Sequence, residues 1–190
     1  MEEQRRIHLD PRSLLALAHP TRARLLGELR RKGPATSTTL ASALGTNTGN
    51  TSYHLRKLAE AGLVEEVEDE GDKRDRWWRS AHEVTSWSEV EFLDDPETAA
   101  ASDWLTGYQL RVNTRQAEDW LAMRREWPRA WIEASSFNDF LIDLDPEGLT
   151  HLVDELAEVI ERHRRRPAGP GEARRVIVQL FAFPDARESG

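Results

Sequence analysis

The stretch TSTTLASALGTNTGNTSYHLRKLAEAGLVEEVEDEGDKRDRWWRSA, residues 36–81, decides how this chain folds. Leu40, Ala41 and Leu44 fall at the spacing of one buried helix face, and Gly45 follows where a helix must stop and turn. Asn47 or Thr48 then caps a second helix running to Gly62, with Thr51, Leu55, Leu58 and Gly62 stacked inward. At about 100° per residue, the opposite arc carries Gly49, Asn50, Tyr53, Arg56 and Lys57, with Thr48 and Ser52 at its leading edge. His54 lies off the buried centre and reads as a half-buried packing residue.

Polar residues on a helix face are ordinarily just solvated. Here Leu63–Glu68 reads as a strand, Glu70-Gly71-Asp72 as a turn, and Arg76–Ser80 as a returning strand with Trp77 and Trp78. Two helices about a tight turn, followed by a hairpin, make a winged helix-turn-helix. Its outward arc offers amide, hydroxyl and guanidinium groups that suit base edges, beside a helix N-terminus that favours phosphate.

Three runs, SLLALAHPTRARLLGELRRKG, TLASALGTNTGNTSYHLRKLAEAGLVEE and GDKRDRWWR, resemble the ArsR-type winged-helix transcriptional regulators of bacteria, over roughly Asp10–Glu83. Ala18-His19-Pro20-Thr21-Arg22, Ser52-Tyr53-His54-Leu55-Arg56 and Ala61-Gly62-Leu63-Val64 carry the likeness. It implies that recognition-helix and wing positions contact double-stranded DNA and that a homodimer acts on a partly palindromic operator. The DNA-contact set expected here is Thr48, Gly49, Asn50, Ser52, Tyr53, Arg56, Lys57, Lys73, Arg74 and Arg76. Thr46 and Thr51 stand where that family usually places aliphatic residues, and both read as tolerated core positions.

Upstream, Asp10-Pro11 caps a short helix through Leu17, His19-Pro20 starts a second, and Gly33-Pro34 stops it. Net charge is −8, but residues 1–57 carry ten Lys/Arg against four Asp/Glu, whereas residues 84–190 carry twelve against twenty-one. Phosphate affinity follows the local stripe rather than the total. Acids crowd the first wing strand, from Glu65 to Asp72, so cations reach phosphate only from the wing tip and return strand.

Residues 84–190 form the expected second domain, for dimerisation and as the candidate effector domain, after a winged domain of residues 1–83. A helix of about thirty residues, Pro96–Met123, is too long for a small domain to cover, so one face is expected against a partner subunit; the alternative is a helix folded back on its own domain. Next come a strand within Trp131–Leu144, a helix from Asp145 to the basic run Arg162–Arg166, and a closing strand, Arg175–Pro184, covered on both faces. The fold class is therefore mainly α with small β (α+β), ending in a strand-helix-strand unit.

Cysteine is missing altogether, which excludes disulfides, thiolate metal sites and cysteine nucleophiles. His151, Asp154, Glu155, Glu158 and His163 share a helix but read as a solvated face, so no metal and no cofactor are expected. No nucleotide-binding glycine fingerprint, phosphate loop or nucleophile elbow suggests an enzyme. Trp104, Trp120, Trp127, Trp131 and Phe181 are candidates to line a pocket for a small-molecule effector, with plain core packing as the rival reading. Without a signal-like or membrane-length apolar run, the cytoplasm is the expected compartment. The competing function is a winged-helix module for protein contacts that does not bind DNA.

Overall fold

A computed structural model describes residues 6–67, 76–166 and 173–188 of the chain. They fall into two compact units, 1–115 and 116–190.

In the first unit a three-residue strand, β1 (Arg6–His8), leads into α1 (Pro11–Leu17). Asp10 caps that helix by accepting the Ser13 N–H at 2.7 Å, and the Ser13 hydroxyl accepts the Asp10 N–H in return. Helix α2 (Pro20–Lys32) begins with His19 Nδ1 accepting the Thr21 N–H, and Ala23, Leu25, Leu26 and Leu29 form its buried face. A two-residue strand, β2 (Ala35–Thr36), precedes α3 (Ser37–Leu44), capped by Thr36, and α4 (Thr48–Glu60), capped by Asn47.

Both turns around α4 use one device. Gly45 has φ +64°, and the Thr46 N–H reaches back to the Ala41 carbonyl at 2.9 Å; Gly62 has φ +71°, and the Leu63 N–H reaches the Leu58 carbonyl at 2.9 Å. A left-handed residue that closes the last carbonyls of a helix is a role glycine fills without a Cβ clash. The regular part of α4 thus ends at Glu60, and Gly62 serves as its terminating turn rather than its last turn.

The wing strands are β3 (Val64–Val67) and β4 (Trp77–Ser80), antiparallel, with Glu65 opposite Arg79 and Glu66 opposite Trp78. The turn expected at Glu70-Gly71-Asp72 lies outside the described residues. Strand β2 joins the other edge of β4, and β5 (Val84–Ser86) pairs in parallel with β1. Arg30 ties these parts together, donating to the Ser80 hydroxyl, the His82 carbonyl and the Thr85 hydroxyl. Burial pushes its guanidinium down to about 10, so it stays charged at neutral pH.

One closed core serves the whole unit. Leu9, Leu14, Leu25, Leu55, Leu58 and Leu63 are fully buried, and they share a cluster with Trp78, Phe92, Ala101 and Leu105. The last two belong to α5 (Pro96–Met123), whose ends match the sequence expectation. Its role differs in part. The first turns fold onto the helix's own domain, with Thr98, Ala101, Ser102 and Leu105 buried and Trp104 stacked on Tyr108 at 5.3 Å, so this part of the helix follows the alternative reading. The compact unit accordingly runs to Arg115, past the boundary expected at residue 83.

In the second unit α5 ends in a short 3-10 turn, followed by α6 (Arg129–Ala134) and α7 (Pro146–Arg164), the latter capped by Asp145 at 2.7 Å from the Gly148 N–H. Here two expectations fail. Residues 131–144 open with helix α6 and continue without regular structure, and residues 175–184 form no strand. A strand is a paired state: apolar alternation supplies the face, but without a neighbouring ladder the backbone groups gain nothing from it. The closing segment is also uncovered, with Val176, Val178 and Phe183 all more than 60% exposed. The strand-helix-strand unit is therefore reduced to its helix.

Candidate nucleic-acid interface

Helix α4 presents two unlike faces. Thr51, His54, Leu55 and Leu58 are buried; Thr48, Gly49, Asn50, Tyr53 and Arg56 are exposed, and Ser52 and Lys57 lie half exposed at the margins. All seven expected helix positions thus share one accessible surface. Asn47 Oδ1 takes the Asn50 N–H at 2.8 Å, and Asn50 Nδ2 in turn donates to the Thr46 hydroxyl at 3.3 Å. Thr46 is half-buried and works in this cap, not in the core, whereas Thr51 is a core residue as expected. A Cβ added at Gly49 would meet only Asn47 Oδ1, at 3.4 Å, so the glycine keeps the first turn open rather than relieving a clash.

Charge around this face is positive with one acid embedded in it. Lys57 Nζ sits 2.7 Å from Glu60, which raises the lysine's pKa and lowers the glutamate's; Arg12 and Arg56 also hold Glu60 down. Arg12, from α1, was not among the expected contact residues. Its signal is spatial: it lies 48 positions from Glu60 in the chain, and only the packing of α1 on α4 brings the two within electrostatic reach.

Beneath the exposed face lies an aromatic support. The His54 ring packs against His19 at a tilt of 38°, with centroids 4.6 Å apart, and Tyr53 meets His54 edge-on at 5.2 Å. Burial, then the neighbouring Arg22 guanidinium, lowers the pKa of His19; burial, His19 and Arg22 lower that of His54. Arg22 is itself anchored by donating to the Leu15 carbonyl at 3.2 Å. His19 is the helix cap the sequence suggests, while His54 is more deeply buried than expected, at 7% exposure.

On the wing, Arg79 pairs with Glu65 at 2.8 Å and Arg76 approaches Glu66 at 3.6 Å. The acids Glu65 and Glu66 of β3 are therefore matched by Arg79 of β4 and by Arg76 just before it. Arg76 is exposed next to this pair; Lys73 and Arg74 lie outside the described residues.

Elsewhere, Trp120, Trp127 and Trp131 form an edge-to-face series at 5.5 and 6.0 Å, with the Arg174 guanidinium 5.9 Å from the Trp127 ring centre. Trp104 belongs to the first unit, and the strands expected at residues 131–144 and 175–184 are not formed. Among the described residues no three His, Asp or Glu side chains converge as a metal site would require, and no helix is long and apolar enough to cross a membrane.

Residues 17–67 match the helix-turn-helix domain family. No curated protein matches the chain. Among solved structures, the homodimeric winged helix-turn-helix DNA-binding domain of a possible ArsR-family regulator from Mycobacterium bovis is 30% identical over 38% of this chain, with a TM-score of 0.34; this chain spans 63% of it, less than two thirds. A crystal structure of a possible transcriptional regulatory protein from Mycobacterium bovis, also a fragment of residues 1–100, is 30% identical over 38% of this chain and 73% of that one, at TM-score 0.34. A possible transcriptional regulator for arsenical resistance is 29% identical over 56% of this chain and 94% of that one, at TM-score 0.33. Scores this low give the superpositions no structural weight.

Proposed function

From a chain that belongs to the winged helix-turn-helix regulators, we propose a sequence-specific DNA-binding protein that acts as a homodimer on a partly palindromic operator. The observation that carries this reading is the single accessible face of α4, where Thr48, Asn50, Ser52, Tyr53 and Arg56 stand clear of the core with Lys57 at the margin. A helix of that width enters the major groove, where Arg suits guanine and Asn suits adenine. Lys73, Arg74 and Arg76 then serve phosphate or minor groove without reading sequence. Binding, not catalysis, is the proposed activity, and the cytoplasm its place. A small organic effector belongs to the same proposal, with the Trp120, Trp127 and Trp131 series as its reporter.

The acids on β3 favour one rival, a winged module that contacts protein instead of DNA. Selection of bound sites from random duplex DNA, followed by footprinting across a salt series, separates the two. DNA binding yields an enriched two-fold motif and an affinity that falls steeply with salt, and replacing Lys73, Arg74 and Arg76 together flattens the log-log slope by up to about three. An unenriched pool and salt-insensitive binding would favour the protein-contact module.

A further inference from the structure

We infer that a second copy of this chain covers the apolar surface of residues 116–190, with the two α7 helices antiparallel across a two-fold axis. This deepens the dimer part of the proposed function and does not depend on DNA binding.

Among the described residues of this unit none is buried. Helix α7 nevertheless carries an apolar stripe, Leu149, Leu152, Val153, Leu156, Val159 and Ile160, and no residue of it is buried. Two segments without regular structure are barer still: Phe140 and Leu141 are 81% and 86% exposed, and Phe183 is 76% exposed. With roughly 100 Å² left open on each exposed Leu, Ile, Val or Phe, the segments 137–144 and 176–183 and α7 together present on the order of 1,000 Å², whereas a stable interface takes about 800 Å² from each partner. Monomers rarely leave that much apolar surface to water.

Charge identifies the occupant. Along α7 the acids Glu147, Asp154, Glu155, Glu158 and Glu161 come before the cations Arg162 and Arg164 and the C-cap Arg165; Glu161 pairs within the chain with Arg164 and Arg165, whereas Glu155 and Arg162 face solvent. Such a helix complements itself only when antiparallel. Glu155 and Arg162 are exposed and stand seven residues apart, two turns, so they lie on the same flank of the stripe. A two-fold axis normal to the helix pair keeps that flank on one side. If the helices cross between Glu158 and Val159, each Glu155 comes opposite Arg162 of the partner subunit. The same association gives segments 137–144 and 176–183 the strand partners they lack within their own chain.

The test uses the full chain, its mass followed by sedimentation from nanomolar to micromolar concentration. Wild type is expected to dimerise. Glu155→Arg and Arg162→Glu should each raise the dimer Kd at least tenfold, and the double variant should return it to within a few-fold of wild type. Val159→Glu should be monomeric with an unchanged far-UV spectrum, since residue 159 is already 39% exposed in the single chain. Hydrogen exchange guards against a misfolded variant: in wild type, amides of 137–144 and 176–183 should slow only as the dimer forms. A wild-type monomer overturns this inference and the dimer reading together. A dimer indifferent to all three single substitutions, a double variant no tighter than the singles, or exchange that is slow at every concentration overturns the inference and leaves a dimer held by another face.

Discussion

Residues 6–115 and residues 116–190 contain helices of similar quality but reach different ends. Asp10 caps α1 and Asn47 caps α4 much as Asp145 caps α7, each through a side-chain oxygen on a backbone N–H of the first turn. Yet Leu55 and Leu58 of α4 are fully buried, and Leu156 and Ile160 of α7 are 37% and 38% exposed. Good caps and an apolar stripe make a helix; what buries the stripe is a matter of tertiary partners. The first unit has its partners in cis, from α1, α2, β4 and the first turns of α5.

That contrast can be broken most directly through stability. Leu55→Ala removes a fully buried side chain from a closed core and should cost about 2–5 kcal/mol, read from urea denaturation. Leu156→Ala, studied at a concentration too low for association, should leave the same transition within about 0.5 kcal/mol. Equal losses from the two substitutions would mean that the second unit has a core of its own.

The exposed face of α4, proposed to contact DNA, sharpens the contrast from the functional side. Arg56 is exposed and contributes nothing to the core, so Arg56→Ala should leave folding intact and reduce operator affinity by about 1–3 kcal/mol, relaxing preference at one base position. Binding titrations on the selected site and its single-base variants measure both. Unchanged affinity and preference would remove α4 from the DNA interface.

Much of the first unit was legible because its signals are local. Asp10-Pro11, Gly45, Asn47 and Gly62 each act on a backbone within a few residues, and they fix where α1, α3 and α4 begin or end. Both ends of α5 were legible for a similar reason, with Asp95 capping one end by accepting the Thr98 N–H. What was not legible depends on distance along the chain. Strand β1 pairs with β5 almost eighty residues later, and three residues are too few to show an alternating face. The tilted His19–His54 ring contact likewise joins two helices that no spacing rule connects. In the second unit the apolar runs within Trp131–Leu144 and Arg175–Pro184 suggest strands from their faces alone, although a strand also needs an edge to pair with.

Within the closed core, Thr51 is one of several buried positions with an unpartnered polar atom, beside His54, Trp78 and Ser102. Thr51 is fully buried and its hydroxyl has no hydrogen-bond partner, so the group has lost water and gained nothing in exchange. Thr51→Val keeps the shape and removes the orphaned hydroxyl. It should stabilise the first unit by about 1 kcal/mol in the same urea experiment, with DNA affinity unchanged. A loss of stability would mean that the hydroxyl has a partner after all.

The smallest expected effect concerns protons at the same helix. His54 is buried against His19 from the start of α2, with Arg22 of α2 and the Tyr53 ring of α4 also beside it. Burial and the adjacent positive charge both disfavour imidazolium, so each histidine has a lower pKa in the folded chain than the ordinary value of about 6.5. The sign follows from linkage. Above about 6.5 both rings are neutral whether the chain is folded or not, and their contribution to stability is complete. As pH falls below that value the unfolded chain takes up protons first, and stability declines until the folded-state pKa values have been passed. Urea midpoints should therefore drop between neutral and mildly acidic pH, and His54→Gln should flatten that part of the profile even if it lowers stability overall. Because Tyr53 rests on the His54 ring and that ring stays neutral in the folded chain across this interval, DNA affinity in the wild type should hold there and weaken only below the folded-state pKa of His54. A variant profile parallel to the wild type's would place the titrating group elsewhere.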